Sequence, residues 1–344
     1  MTAEIGILNK TAIVLAGDSA VTIGDGKKVY NTANKIFQLT SKGTVGIMIY
    51  NQANWMGIPL ETIVKSYNKS IGETQFPTLE EYRDSFIEFI KSNIFKYVSA
   101  KSQDDIVNYK CFETIQSLAE TGVEILQDEI NEGKVAKPID DVAEALEISK
   151  RIMHLAKALL NDLQKSKDRL NEFKSYKLSD FKKKYSTKIG DVADGFAKQE
   201  KLTFDVSFKT NFLKLIYFDI VQKIASHEDF SGIVIAGFGE DEIFPKILDF
   251  KLAELFENRL RIQINDVSEI DDNRVAIIRP YAQRDMVDTF MQGIEPNLLE
   301  RLQGYIGTEF KKIEAEILAK WKVDSKELKS ILEKSFKTIG EKSV

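Results

Sequence analysis

The stretch that decides the fold is Ile13-Val14-Leu15-Ala16-Gly17-Asp18-Ser19, which is followed after a loop by Asn34-Lys35-Ile36-Phe37-Gln38. The first run stays apolar until it reaches a glycine, an acid and a hydroxyl residue, so it predicts a strand that ends in a turn. Residues 4–8 alternate between apolar and polar, and a turn at Asn9 and Lys10 separates them from the apolar run. Together the two segments predict a β-hairpin.

A second hairpin is predicted downstream. Its strands are residues 35–39 and 44–50, and its turn falls at Ser41-Lys42-Gly43. The apolar run at residues 45–50 is typical of a strand that is buried on both faces. Strand patterns return much later in the chain, at residues 231–238, 243–250, 259–265 and 274–278.

The residues between these two groups of strands follow a helical pattern almost throughout. Thr78 before Glu80 and Glu81 is typical of a helix start, with a capping hydroxyl and acids in the first turn. The charge-rich segment at residues 165–201 predicts either an exposed helical hairpin or a mobile arm. Helical patterns also close the chain. Strands, helices, strands and helices in this order predict an α+β fold.

Composition excludes several classes of protein. The chain has 344 residues and a formal net charge of −5. This charge argues against non-specific nucleic-acid binding, which needs a concentrated basic face. No apolar run reaches the roughly 18 residues that cross a bilayer, and no basic-then-apolar signal layout opens the sequence. We therefore expect no nucleic-acid partner and no membrane.

Cysteine and histidine chemistry is limited. Cys111 is the only cysteine, which excludes an intramolecular disulfide and indicates a reducing compartment, so we expect a cytoplasmic protein. His154 and His227 are the only histidines, and neither lies in a nucleophile motif. We therefore expect no metal site of the Cys/His type and no cofactor.

The candidate nucleophile is Thr2, which follows Met1. Removal of Met1, which is usual before a small residue, gives Thr2 a hydroxyl nucleophile and a general base, its own α-amine. The ordinary pKa of an α-amine is about 7.7–8.0, close to working pH. A nearby ammonium lowers that pKa further. Lys35 is the candidate ammonium, and Asp18 is the candidate carboxylate that a buried ammonium requires.

Thr2, Gly6, Ala16-Gly17-Asp18-Ser19 and Lys35-Ile36-Phe37 resemble the beginning of proteasome β-subunits and their simpler bacterial relatives. The intervals match except for one extra residue before Lys35. The chain is thus similar to the N-terminal nucleophile (Ntn) hydrolase family. This resemblance implies a four-layer αββα sandwich. The stretch between the two groups of strands is far longer than the family's pair of helices, so we expect it to form a long helical insertion. The resemblance also implies a nucleophilic Thr2, a Lys35 ammonium, and Asp18 as the carboxylate that orients Lys35.

The resemblance implies further site residues and also has gaps. It places Ser19 and Thr22 against the substrate chain. Asn51 stands where the family has a glycine whose N–H helps to form the oxyanion hole. The family's late Gly-Ser-Gly aligns with residues 281–284, where the supporting serine is missing, and no counterpart of the closing strands is visible after Leu302.

We expect three parts in the chain. Residues 2–65 and 230–305 form a split Ntn domain, residues 66–229 form a helical insertion, and residues 306–344 form a C-terminal helical extension. Relatives of this type build rings, so the resemblance implies a homo-oligomer.

Two functions follow as hypotheses. The first is a threonine-type hydrolase of a peptide or amide substrate. The second is a catalytically inactive proteasome-like scaffold whose helical insertion binds a protein partner. Taken singly, Asp18 could be a turn residue and Lys35 a strand-edge gatekeeper. Their matched spacing behind Thr2 favours the first hypothesis.

Overall fold

The computed structural model describes residues 3–19, 21–23, 28–30, 34–40, 44–166, 168–224, 229–265, 267–282 and 284–321. The chain divides into two compact units, Met1–Ala282 and Gln283–Val344.

The first unit contains thirteen strands among the described residues: β1 Ala3–Asn9, β2 Ile13–Gly17, β3 Val21–Ile23, β4 Lys28–Tyr30, β5 Ile36–Gln38, β6 Val45–Asn51, β7 Asn54–Trp55, β8 Ile58–Pro59, β9 Ser231–Gly237, β10 Lys246–Phe256, β11 Arg259–Ile264, β12 Ser268–Glu269 and β13 Ala276–Ala282. Its α-helices are α1 Leu60–Ile71, α2 Leu79–Phe89, α3 Ala100–Asn131, α4 Asp141–Lys165, α5 Leu178–Gln199 and α6 Val206–Val221. Shorter helical turns lie at Ile90–Ile94, Phe95–Tyr97 and Asn171–Phe173. The second unit contains α7 Arg284–Gln292 and α8 Pro296–Trp321.

The larger sheet has the strand order β11-β10-β9-β6-β5, and β12 pairs with β10. Every pairing in it is antiparallel. One face, which includes Ile47 and Ile235, packs against buried side chains of α1 and α2 such as Tyr67 and Phe86. Thr78 caps α2, since its hydroxyl accepts a hydrogen bond from the Glu81 N–H at 3.4 Å, as the sequence predicts.

The smaller sheet has the order β13-β1-β2. The predicted hairpin is formed by β1 and β2, and Asn9 stabilises its turn because its side-chain oxygen accepts the N–H groups of Thr11 and Ala12, each at 2.9 Å. The two sheets stack directly at Gly6. A Cβ at that position would lie 2.7 Å from Cδ1 of Ile247 on the larger sheet. Because Gly6 has no side chain, it leaves room for Ile247 at this contact between the sheets.

Helices α3, α4, α5 and α6 pack as a bundle in which α3 contacts α4 and α5, and α6 contacts the same two helices. The bundle shares one buried cluster with the inner face of the sheets, which includes Leu8 and Met48. Cys111 is fully buried in this cluster, as a small apolar side chain. The described chain is therefore a mixed α+β protein with antiparallel sheets, as predicted.

One structural expectation is wrong. Residues 165–201 form neither an exposed hairpin nor a mobile arm, because α5 buries one face in the bundle. Phe181, Tyr185, Ile189 and Ala193 are each at most 2% exposed. They recur every four residues, so the charged side chains between them occupy the solvent face while the apolar stripe packs inward.

Candidate active site around Lys35

The Lys35 ammonium lies between two carboxylates. Its Nζ is 2.6 Å from Oδ1 of Asp18 and 2.9 Å from Oε1 of Glu4. The side chain of Glu4 is fully buried, that of Lys35 is 10% exposed, and that of Asp18 is 39% exposed. Charges that leave water need paired and hydrogen-bonded partners, and each of these three groups has one. The structure thus brings Asp18 and Lys35 together and adds Glu4 to them.

Strand register places Glu4 in the site. On β1 it lies opposite Gly17 of β2 and Tyr281 of β13. A Cβ on Gly17 would lie 3.3 Å from Cγ of Glu4 and 3.9 Å from Cδ1 of Ile36. Because Gly17 has no side chain, the Glu4 side chain has the space to pass over it towards Lys35. The absence of a side chain at Gly17 therefore allows Glu4 to reach Lys35.

The Lys35 backbone is fixed by the larger sheet. Its carbonyl oxygen accepts a hydrogen bond from the Ile49 N–H at 2.8 Å, in line with the pairing of β5 and β6. Asp18 follows β2 directly, and Ser19 after it is exposed. The cluster therefore lies where the start of β1 and the end of β2 meet the start of β5, at one end of the two stacked sheets.

Polar groups continue from Glu4 into the space between the sheets. Tyr50 and Tyr281 face each other with ring centroids 5.2 Å apart. Burial raises the pKa of the Tyr50 phenol well above its ordinary value, and the Asp249 carboxylate raises it further, whereas Arg279 lowers it and Glu4 raises it. Burial and Asp249 likewise raise the pKa of Tyr281. Both phenols are therefore neutral at physiological pH.

Asn51 ends β6, opposite Ser231 of β9. Its backbone has a positive φ of 63°, which is uncommon outside glycine, although asparagine tolerates it better than most residues. Its side-chain amide donates a hydrogen bond to the Phe230 carbonyl at 2.9 Å. The side chain is thus held against the neighbouring chain segment. A residue that can adopt glycine-like geometry occupies the position where the resemblance implies a glycine.

A cavity of about 290 Å³ begins at Gln52, the residue after Asn51. Its lining combines aromatic rings with carboxylates and contains no Lys or Arg: Gln52, Asn54, Trp55, Met56, Ser102, Asp105, Ile106, Tyr109, Asp229, Phe230, Ser231, Leu252, Ala253 and Glu254. Asp229 accepts hydrogen bonds from Gln52 at 2.6 Å and from the Tyr109 hydroxyl at 2.7 Å. This volume is close to the lower end of the range for small-molecule pockets.

Two predicted site residues lie wholly or partly outside the described part of the structure. Thr2 lies outside the described residues, which begin at Ala3. The backbone of Thr22 lies in β3, opposite Val29 of β4, but its side chain is outside the described part of the structure. Of the six predicted residues, the structure brings Asp18 and Lys35 into contact, leaves Ser19 exposed beside them, and puts Asn51 at the end of β6.

Glu4 is the site residue that sequence reasoning missed. An alternating strand usually turns its apolar residues inward, which would leave Glu4 facing solvent. The structure has the opposite arrangement: Glu4 and Leu8 are at most 1% exposed, whereas Ile7 is 41% exposed. The usable signal was Gly6, because a glycine inside a strand can mark the face against which another part of the chain packs closely.

Among the residues that the structure describes, no group of three or more His, Cys, Asp or Glu side chains is placed to hold a metal ion. No helix in the described part of the chain combines the length and apolar character that crossing a bilayer requires.

Comparisons of the chain with protein-family models, with curated proteins and with solved structures found no match.

Proposed function

We propose that this protein is a threonine-type amide or peptide hydrolase that uses Thr2 as its nucleophile after removal of Met1. One observation carries the proposal: the Lys35 ammonium is held by Asp18 and by Glu4, and Glu4 is only two residues from Thr2. Two residues of fully extended chain span at most about 7 Å, so chain connectivity alone keeps the Thr2 α-carbon within about 7 Å of the Glu4 α-carbon. An ammonium near an α-amine favours the neutral form of that amine, which is the form that acts as a base.

The reaction proceeds in two steps. In the first, Thr2 Oγ attacks the amide carbonyl carbon, and the Thr2 α-amine accepts the Oγ proton and passes it to the departing amine. The carbonyl carbon is then joined to Thr2 Oγ as an ester. In the second step the same amine accepts a proton from water, which attacks the ester carbonyl and releases the acid while Thr2 Oγ is protonated again. Lys35 biases the amine towards its neutral form in both steps.

Asn51 has the role of an oxyanion donor in this proposal. A backbone N–H at the end of β6 would stabilise the tetrahedral intermediates, and a donor of this kind contributes roughly 2.7–4 kcal/mol. In this proposal the cavity that begins at Gln52 holds part of the substrate, and Ser19 and Thr22 contact the substrate chain. A cytoplasmic location and a homo-oligomer belong to the same proposal.

The four-layer αββα sandwich is also part of the proposal. Helices α1 and α2, the larger sheet and the smaller sheet supply three layers in that order. The outer face of the smaller sheet is apolar, and its Ile7, Val14 and Ile278 side chains are 41%, 56% and 40% exposed. A helical fourth layer over this face would remove these side chains from water, as the proposed architecture requires.

The inactive scaffold is the second candidate, and the charge of the cluster favours it. One ammonium lies between two carboxylates, and the second carboxylate opposes the effect of Lys35 on a nearby amine. In this case the bundle of α3 to α6 would be the partner-binding part. A groove of about 600 Å³ on the bundle, lined by Phe112 and Val123 among others, is a candidate surface for such a partner.

Three forms of the full chain separate the two candidates. One begins at Thr2, one carries Thr2→Ala, and one retains Met1. The hydrolase proposal predicts that only the first cleaves a panel of fluorogenic peptides and amides. Cleavage that persists equally in all three forms would eliminate Thr2 as the nucleophile, and a retained Met1 in the native protein would favour the scaffold.

A further inference from the structure

We propose that Glu4 is a positioning residue of the site: it anchors Lys35 and sets the pH at which the Thr2 amine becomes a base. This inference rests on the proposed function. It is based on burial, distance and chain position. Glu4 and Asp18 contact the same ammonium, but only the Glu4 side chain is fully buried, and only Glu4 is two residues from Thr2.

The first step concerns the strength of each contact. The Asp18 carboxylate is 39% exposed, so water and salt screen its interaction with Lys35. The Glu4 carboxylate is 2.9 Å from Lys35 and shielded from water. A buried charge interacts more strongly with neighbouring charges than an exposed one. Glu4 is therefore the carboxylate that dominates the electrostatics of the cluster.

The second step concerns rigidity. Asp18 follows the last residue of β2, whereas Glu4 lies within β1 and is paired on both sides, with Gly17 and with Tyr281. Its side chain also has little freedom, since Gly17 and Ile36 border its path to Lys35. A group held by two neighbouring strands positions its partner better than a group at a strand end. The Lys35 ammonium is thus fixed relative to β1, and β1 leads directly to Thr2.

The third step concerns the other charges that face this position. Besides Lys35 and Asp18, β13 contributes Arg279 and Tyr281, β10 contributes Asp249, and β6 contributes Tyr50. Both phenols are neutral, and Arg279 lies 3.8 Å from Asp249, so this pair is balanced in charge. The Glu4 carboxylate opposes the effect of Lys35 on the Thr2 amine, because a nearby negative charge favours the protonated form of an amine.

The consequence is a site that works at higher pH than one with Lys35 and Asp18 alone. Removal of the Glu4 charge should lower the pKa of the Thr2 amine, because Asp18 still holds Lys35 at 2.6 Å. For two unit charges at an assumed separation of about 7 Å and an effective dielectric constant between about 20 and 80, the expected decrease is about 0.4 to 1.7 pH units.

The test compares Glu4→Gln with Asp18→Asn and Glu4→Asp in the full chain, each produced with Thr2 as its first residue. The measured quantity is the rate at which acetic anhydride labels the N-terminal amine as a function of pH, followed by mass spectrometry. We expect the midpoint for Glu4→Gln to lie about 0.4 to 1.7 units below that of the unmodified chain, a smaller shift for Asp18→Asn, and a midpoint near the original for Glu4→Asp.

An unchanged midpoint in Glu4→Gln, or an equal or larger shift in Asp18→Asn, would overturn the positioning role. A purely structural role of Glu4 would change stability without moving the midpoint. The same samples are treated with a β-lactone that acylates threonine hydroxyls. Absence of an ester on Thr2 in every form contradicts the proposed hydrolase, whereas the amine midpoints still decide the role of Glu4, so the two failures are distinguishable.

Discussion

The pair formed by Glu4 and Lys35, with Oε1 and Nζ 2.9 Å apart, joins the two sheets of the molecule. Glu4 belongs to β1 of the smaller sheet, and Lys35 immediately precedes β5 of the larger sheet. The two residues are 31 positions apart in the sequence. A charged pair that is almost fully buried at such a junction is costly to desolvate, so it constrains how the two sheets can meet.

Lys35→Met should destabilise the fold at neutral pH. The substitution keeps the volume of the side chain but leaves the buried Glu4 carboxylate without its ammonium. Breaking a buried pair in this way costs about 3–5 kcal/mol. The measurement is the free energy of unfolding from urea titration at pH 7.

The control for this prediction is the double variant Glu4→Gln/Lys35→Met, which removes both charges. It should be more stable than Lys35→Met alone, because no uncompensated charge is then buried at the junction. Strictly additive effects of the two substitutions would show that the pair is not coupled, contrary to the observed contact.

Gly232→Ala should disturb the ring of Tyr50. A Cβ at position 232 would lie 2.1 Å from the Tyr50 ring across the β6–β9 pair. The ring must move, and we expect a loss of about 1–3 kcal/mol of unfolding free energy. Gly195→Ala is the matched control on α5, since nothing lies within 4 Å of its Cβ position. It should stabilise the chain by about 0.5–1 kcal/mol, and equal losses in both variants would contradict the packing described.

Much of the fold could be predicted from local patterns. The segments that form β1, β2, β6 and β9 are apolar or alternate between apolar and polar residues, and Thr78 is a capping residue followed by acidic residues. Local sequence preferences therefore determine these strands and the start of α2. The pairing of β1 with β13 could not be predicted. The two strands are more than 260 residues apart, and the sequence of neither strand indicates which other strand it pairs with. The buried stripe of α5 was visible in the spacing of Phe181, Tyr185 and Ile189 but was obscured by the surrounding charges.

The candidate site was also predicted only in part, because local sequence patterns do not reveal tertiary contacts. Asp18 and Lys35 were identified by spacing, and the structure brings them to within 2.6 Å of each other. Glu4 was missed because its inward direction depends on which face of β1 packs against the larger sheet. That choice is set at Gly6, by the approach of Ile247, which is a tertiary contact and not a property of the local sequence.

Arg261→Lys should be strongly destabilising although it keeps the charge. The Arg261 side chain is fully buried, and its guanidinium contacts Glu254 at 2.6 Å and donates to the carbonyls of Ile220 and Asp219 at 2.9 and 2.8 Å. A lysine cannot reproduce this planar set of contacts, and losing one charged hydrogen bond costs roughly 1.5–3 kcal/mol.

Arg279→Lys is the matched control, because the Arg279 side chain is 41% exposed and lies 3.8 Å from Asp249. Its effect on the unfolding free energy should stay within about 1 kcal/mol. A larger loss in Arg279→Lys than in Arg261→Lys would be inconsistent with the fully buried position of Arg261.

Stability should fall steeply above about pH 10, the ordinary pKa of tyrosine. Burial raises the pKa of Tyr50, Tyr176, Tyr185 and Tyr281 in the folded chain. A phenol whose pKa is higher in the folded state stabilises the fold below its unfolded pKa and loses that contribution as the pH rises beyond it. Each such group contributes a slope of about 1.4 kcal/mol per pH unit.

The measurement is urea unfolding at pH 9, 10 and 11, together with phenolate absorbance. We expect these four tyrosines to remain neutral until the chain unfolds. Full ionisation of all tyrosines in a chain that is still folded at pH 11, or constant stability across this range, would contradict the burial of these rings.

The proposed function depends on Thr2 acting as the nucleophile of a site built around the Lys35 cluster. The most direct test is peptide-mapping mass spectrometry of the full chain after treatment with a threonine-directed β-lactone. The account predicts one ester on Thr2 that forms in the chain lacking Met1 and is lost in Thr2→Ala. An unmodified Thr2 in a chain that has lost Met1, or equal labelling of threonines across the surface, would contradict it.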